Sequence, residues 1–303
     1  MSTHRKNHRT RQTAALVATA ALGLSLAACS TDDGGDDTGS EGEDMTITLG
    51  YLPSWTDGLS SAYLLDKELT AAGYTVEHEE MNEVGVLFTA LAEGDIDMYP
   101  SAWSDLHSTY LDQYGDDLEN VGSYYPSADK FLAVPEYTEV DSLDELADNV
   151  DLFDGTITGI EPSAGIMEAT TDDVIPAYGL TEAGYMLQES GTSPMITALD
   201  EAIANEEDIL VTMWTPFWAN EEYPLKRLED PQGAFGESEN LEFIATAGFS
   251  EQHPEVAEWL GQIDLTESFP ELDSMVNDST DDPAAAVDAW LAEYPDAVPP
   301  FEG

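Results

Sequence analysis

From residue 46 onward the apolar residues change period at regular intervals, and this limits the possible folds more than any other feature of the chain. Met45-Thr-Ile-Thr-Leu-Gly-Tyr-Leu52 alternates as a strand does. Residues 60–72 repeat at helical spacing, with Ala62, Leu65 and Leu69 on one face and Gly73 as the stop. Residues 74–81 read as a second strand, 84–93 as a helix closed by Gly94, and Asp95 opens a third strand. Strand and helix in this alternation predict a parallel sheet with crossover helices, because parallel neighbours need a long return connection. In open α/β sheets, ligands sit beyond the carboxyl ends of the strands.

Three of the expected strands end in a tryptophan. They are Gly50-Tyr-Leu-Pro-Ser-Trp55, Asp95-Ile-Asp-Met-Tyr-Pro-Ser-Ala-Trp103 and Ile209-Leu-Val-Thr-Met-Trp214. A single Trp is more often core than ligand contact, but three strands that each deliver an indole at the C-terminal end predict a shared aromatic pocket of Trp55, Trp103 and Trp214. A quaternary ammonium suits such a pocket. It has no N–H to donate, and each indole face attracts it by about 0.5 to 2 kcal/mol. Ser163-Ala-Gly165-Ile166-Met167 lies between a strand and a helix. The backbone N–H groups of Gly165 and Ile166 would then be free to hold a carboxylate. His107, just past Trp103, is a further donor to it. An aromatic cage at one end and N–H donors at the other describe a zwitterion such as glycine betaine. Tyr51, Tyr99 and Phe217 are further candidate walls. Trp218 reads as support, Trp259 and Trp290 as core, and His78 and His253 have no assigned role.

The rest of the chain continues in the same style. Phe131-Leu-Ala-Val-Pro135 is a strand that crosses into a second lobe, and Ser142-Leu-Asp-Glu145 has the form of a capping box. Residues 155–160 and 209–213 read as strands; the segment up to 178, 194–205, 254–262 and 283–293 read as helices. The chain returns to the first lobe near residue 241. The expectation is two α/β lobes, residues 45–133 plus 225–303 and residues 134–224, with the site in the cleft between them.

Ahead of this region lies a basic head (Arg5, Lys6, Arg9, Arg11) and an apolar run that ends Leu26-Ala27-Ala28-Cys29. The run is shorter than the roughly 20 residues of a spanning helix, so residues 1–28 read as a secretory signal. Cys29 is the only cysteine, and a lone thiol in an exported chain needs a reason. The reading is lipid attachment at Cys29, with residues 29–44 as an acidic, flexible tether. The protein is then expected on the outer face of the cell membrane, as a monomer. Past residue 28 only four Lys and Arg stand against 63 Asp and Glu, a formal charge of −59. Nucleic acid is excluded as a partner on that balance, and the surface suits a salty medium that screens self-repulsion.

The segments around Trp55, Ser101-Ala-Trp103…His107, Gly159-Ile-Glu-Pro-Ser-Ala-Gly-Ile-Met167 and Met213-Trp-Thr-Pro-Phe-Trp218 resemble the glycine betaine substrate-binding proteins of ABC transporters. Leu228-Glu-Asp-Pro231 and Ile244-Ala-Thr-Ala-Gly-Phe249 add to the resemblance, which covers roughly residues 45 to 270. It implies a two-lobed, type II periplasmic-binding-protein-like fold, with partners that are a permease and its ATPase subunit. It also implies a Trp prism of Trp55, Trp103 and Trp214 around the ammonium, with Gly165, Ile166 and His107 on the carboxylate. The sequence departs from the family pattern in a Trp103–His107 spacing one residue short and in Ser163 where Gly is more usual. Choline, carnitine or a sulfonium analogue are alternative ligands on this scaffold. A secreted hydrolase is a third reading, but the chain has neither a phosphate-binding loop nor a Gly-x-Ser-x-Gly elbow. No catalytic residue, metal or cofactor is expected.

Overall fold

The computed structural model describes residues 45–301; the expected signal, Cys29 and the tether lie outside the described residues. In chain order the elements that position the site are β1 (Thr46–Tyr51), α1 (Thr56–Ala71), β2 (Thr75–Glu80), α2 (Val84–Glu93), β3 (Met98–Trp103), α3 (Ser108–Tyr114) and β4 (Leu118–Pro135). They continue with β5 (Thr156–Thr158), α4 (Gly165–Ala169), β6 (Met186–Gln188), α5 (Thr192–Asn205), β7 (Val211–Thr215), β8 (Leu225–Arg227) and β9 (Glu239–Thr246). Three C-terminal helices follow: α6 (Pro254–Leu260), α7 (Phe269–Asp278) and α8 (Pro283–Glu293).

The strands lie in the order β2-β1-β3-β9-β4-β7-β5-β6. β1 pairs parallel with β2 and β3, as the strand–helix rhythm requires, while β9 inserts antiparallel between β3 and β4. The fold is a two-lobed α/β fold of the type II periplasmic-binding-protein kind. β4 is the long element that joins its halves. Residues 118–128 pair with β9, Asp129 to Ala133 pair with β7, and Ala133 to Pro135 pair with β8. The expected short strand at 131–135 is thus the end of an 18-residue one. Its first half mixes polar residues with register shifts, which breaks the alternation a reader looks for.

α2 occupies the predicted residues, with Val84, Leu87, Phe88 and Leu91 buried and Gly94 in the left-handed conformation that ends it. α1 begins at Thr56, a turn earlier than the apolar spacing suggests, because its first two turns bury polar residues: Thr56, Asp57, Ser60 and Ser61. Ser142 does cap a helix, accepting from the Asp144 N–H at 3.3 Å, while Glu145 accepts from the Asp141 N–H at 2.9 Å. That helix is a short 3₁₀ segment, Leu143–Asp148. The helix expected up to Tyr178 is α4 continued through a π-helical turn, Thr170–Val174. α1 packs on α7 and α8, and Trp290 of α8 is fully buried, its indole donating to the Ser268 carbonyl at 3.2 Å. Trp259 is likewise core, donating to the Pro299 carbonyl at 2.8 Å.

Candidate functional site

β1, β3 and β7 end at one cleft, and each brings its tryptophan there. Trp55, Trp103 and Trp214 line a cavity of about 330 Å³, counted out to its mouth, together with Asp57, Leu106, His107, Ile160, Ala164, Gly165 and Ile166. All six residues singled out by sequence as ligand contacts therefore border one space. Tyr51, Tyr99 and Phe217 do not line it. Phe217 stacks behind Trp214 at 4.0 Å between centroids, Tyr99 packs against Phe88 and His107, and Tyr51 packs against Tyr63 and His78. Trp218 leans on Phe217 and Tyr223, a layer further out.

Two of the indoles are fixed by carboxylates. Trp103 Nε1 donates to Asp57 Oδ2 at 3.3 Å, and Trp55 Nε1 donates to Glu161 Oε2 at 3.2 Å and to Thr192 Oγ1 at 3.1 Å. Glu161 is itself held by the Thr192 N–H at 3.0 Å and hydroxyl at 2.8 Å. Trp55 thus bonds from the start of α1 to the first residue of α5, across the cleft. An indole N–H given to an anion keeps the ring in place and leaves its electron-rich face for a cation.

His107 caps α3 and is fully buried. Its Nδ1 accepts from the Trp103 backbone N–H at 3.0 Å, so the neutral ring carries its proton on Nε2, ready to donate. Burial pushes the imidazole down to about 3, which keeps it an uncharged donor at physiological pH. The ring stacks on Trp55 with planes 11° apart and meets Phe88 edge-on. Gly165 and Ile166, which line the same cavity, open α4, where backbone N–H groups have no partner within a helix. Gly165 is required by space. A Cβ there would stand 2.2 Å from the Leu106 carbonyl oxygen and 2.6 Å from Leu106 Cγ.

The 104–107 loop that carries His107 rests on a buried ion pair. Lys130 Nζ meets Glu239 Oε1 at 2.5 Å, and Glu239 Oε2 accepts the Asp105 and Leu106 N–H groups at 2.6 and 2.8 Å. Lys130 belongs to β4, directly across from Trp214, and Glu239 begins β9. The ion pair therefore ties the strands between the lobes to both the loop and the third indole. The cleft mouth beside Leu106 and Gly165 is acidic, lined by Asp105, Glu168, Asp172, Asp173 and Glu237; it attracts cations and repels anions.

Sequence reasoning did not reach Asp57 or Glu161. Asp57 lies on the cavity floor, nearly fully buried, and accepts from Ser101 Oγ at 2.7 Å as well as from Trp103. The available signal was its place two residues after Trp55, at the start of a helix. In a chain with 63 acids such a position reads as an ordinary helix-end carboxylate. Among the described residues, no group of three or more His, Cys, Asp or Glu side chains is placed to hold a metal ion.

Comparison with known proteins gives the same outline. Residues 45–293 match the family model described as the substrate binding domain of ABC-type glycine betaine transport system. The glycine betaine/carnitine transport binding protein GbuC of Listeria monocytogenes serotype 1/2a (strain 10403S) is 38% identical over 144 residues, 47% of each chain. The chain spans about half the length of the curated relatives it matches. Among solved structures, lactococcal OpuAC in its closed-liganded conformation with glycine betaine superposes with TM-score 0.74 at 29% identity, covering 82% of this chain and 96% of that one. An ABC-transporter choline binding protein in complex with choline gives TM-score 0.76 at 22% identity, covering 85% and 91%.

Proposed function

Because the chain belongs to the family of substrate-binding domains of ABC-type glycine betaine transport systems, we propose that it captures glycine betaine, or a close relative, and delivers it to an ABC permease powered by a separate ATPase subunit. The observation that carries this reading is the convergence of the three indoles on one cavity that His107, with its Nδ1 already engaged, and the opening of α4 also line. The trimethylammonium group sits among Trp55, Trp103 and Trp214 with Asp57 beneath. The carboxylate takes hydrogen bonds from the Gly165 and Ile166 N–H groups and from His107. None of these donors carries a formal charge, so the anion is held without a competing salt bridge.

A second reading, a net cation such as choline, is favoured by Asp57. A buried carboxylate beside the cavity adds Coulomb attraction that a zwitterion partly forfeits. Carnitine and sulfonium analogues fall between these cases. The chain performs no chemistry on its ligand. No helix of the described residues is long and apolar enough to cross a membrane, and the family works with extracytoplasmic ligand. Residues 1–28 act as the export signal, Cys29 carries the lipid, residues 29–44 form the tether, and the lobes are residues 45–133 plus 225–303 and residues 134–224, acting as a monomer.

Titration calorimetry tests the assignment. Glycine betaine is expected to bind with a one-to-one stoichiometry, Trp103→Ala to abolish measurable binding, and choline to compete weakly. No heat with glycine betaine, or binding untouched in Trp103→Ala, would overturn it. Metabolite analysis after incubation with betaine esters, with products formed, would revive the hydrolase reading.

A further inference from the structure

The floor of the cleft holds more negative charge than a zwitterion needs. Asp57 faces the cavity, and Asp273, on α7, lies behind it against the first turn of α1. Both are buried. Asp57 is well supplied with donors: Ser101 Oγ, Trp103 Nε1 and the Gly58 N–H at the helix N-terminus. Asp273 is not. Its Oδ1 takes only a long bond from Ser60 Oγ, 3.4 Å, and its Oδ2 has no bond of acceptable geometry, although the nearby Thr56 hydroxyl and Trp218 N–H ease its charge.

Among the described residues, no basic side chain compensates either acid. The titratable groups that face them are His107 of the β3–α3 loop, Tyr99 of β3 and Tyr124 of β4. His107 is neutral, and burial holds both phenols protonated. Lys67, on α1 itself, pairs with Asp288 at the exposed side of the helix. Tyr124 OH joins the pair through Ser101 Oγ at 2.8 Å and Ser61 Oγ at 3.0 Å. Two carboxylates in a dry interior without a cation cannot both ionise freely. Burial first, and the charge on Asp57 second, push Asp273 up to about 7. Burial raises Asp57 as well.

We propose that Asp57 and Asp273 share one proton in the empty cleft and release it to solvent when a quaternary ammonium enters, and that Asp273 thereby sets how strongly the site favours a net cation over a zwitterion. This rests on the reading of the cleft as a quaternary-ammonium site. The ligand supplies the missing permanent positive charge beside Asp57, which removes the reason for the proton to stay. The proton goes to bulk buffer, and no covalent bond of the ligand changes. Choline offers its full charge to the doubly ionised pair, whereas glycine betaine brings its own carboxylate into the same cavity. Raising the pH therefore favours choline more than betaine.

The test is calorimetry of the full chain with glycine betaine and with choline at pH 6.5, in buffers of differing ionisation enthalpy. The expected result is a buffer-dependent heat corresponding to release of about 0.3 to 1 proton per ligand. Choline affinity should rise up to about tenfold per pH unit between pH 5.5 and 7.5, faster than that of betaine. Asp273→Asn should flatten both dependences, and a protonated-carboxyl infrared band of the empty protein should fade on binding. Heat that is independent of buffer would overturn the shared proton while leaving ligand capture intact. Absence of binding by either ligand would overturn both. A buffer dependence unchanged in Asp273→Asn would remove Asp273 from the device.

Discussion

Gly165→Ala separates closing the cleft from folding the chain. The new methyl would meet the Leu106 carbonyl oxygen at 2.2 Å, its carbon at 3.0 Å and Leu106 Cγ at 2.6 Å. Those atoms cannot retreat cheaply, because the Leu106 N–H is bonded to Glu239 at 2.8 Å and Glu239 is pinned by Lys130. Leu106 follows β3 and Gly165 follows β5, strands well apart in the sheet order, so any movement that separates these two segments relieves the clash. The closed state should lose about 1 to 3 kcal/mol, the usual cost of overpacking. That corresponds to a roughly 5- to 150-fold weaker affinity for glycine betaine. The open state escapes the cost, and Ala at the first position of α4 is a better helix former than Gly by up to about 1 kcal/mol. Calorimetric affinity and the melting temperature of the ligand-free protein, measured side by side, are the assay. Affinity is expected to fall while the ligand-free melting temperature stays level or rises slightly. Wild-type affinity, or a loss of ligand-free stability as large as the loss of binding, would refute the packing argument.

Other substitutions report on the groups beneath the site. Asp273 has a folded-state value raised to about 7, so its contribution favours folding below about pH 4 and is lost as pH rises through 7. Asp273→Asn should therefore be more stable than the parent in urea at pH 8, by up to about 4 kcal/mol, and no more stable at pH 4. His107 has the opposite sign: lowered to about 3, it leaves stability intact above about pH 6.5 and erodes it as pH falls toward 3. His107→Gln should remove up to about 1.4 kcal/mol of stability loss per pH unit in that window, seen as a shallower stability–pH curve. Glu239→Gln leaves Lys130 buried without its counterion. It should cost about 3 kcal/mol in urea unfolding and weaken ligand binding, with Lys130→Met added to it recovering part of the stability.

What the chain discloses depends on whether a residue's type matches its surroundings. Val84, Leu87, Phe88 and Leu91 are apolar and buried, and α2 was legible to its ends. The three tryptophans were legible because each stands at the C-terminal end of a strand, and those ends meet at one cavity. The start of α1 was not, because Asp57, Ser60 and Ser61 are buried yet polar, and periodicity counts only apolar residues. α7 was missed for the same reason. Phe269, Leu272 and Val276 form its buried stripe, but Asp273 sits inside that stripe, and among so many acids it reads as surface. The Glu239–Lys130 pair and the Glu161 brace on Trp55 join residues 109 and 106 positions apart, a relation that only the folded sheet creates.

The central claim is that the cavity recognises a positive charge through indole faces rather than the mere shape of three methyl groups. The most direct measurement compares glycine betaine with 3,3-dimethylbutanoate, its carbon isostere, by calorimetry at the same pH and salt. Three cation–π contacts of about 0.5 to 2 kcal/mol each predict glycine betaine binding at least about tenfold tighter, and more once Asp57 repels the bare anion. Equal affinity for the two would contradict the account.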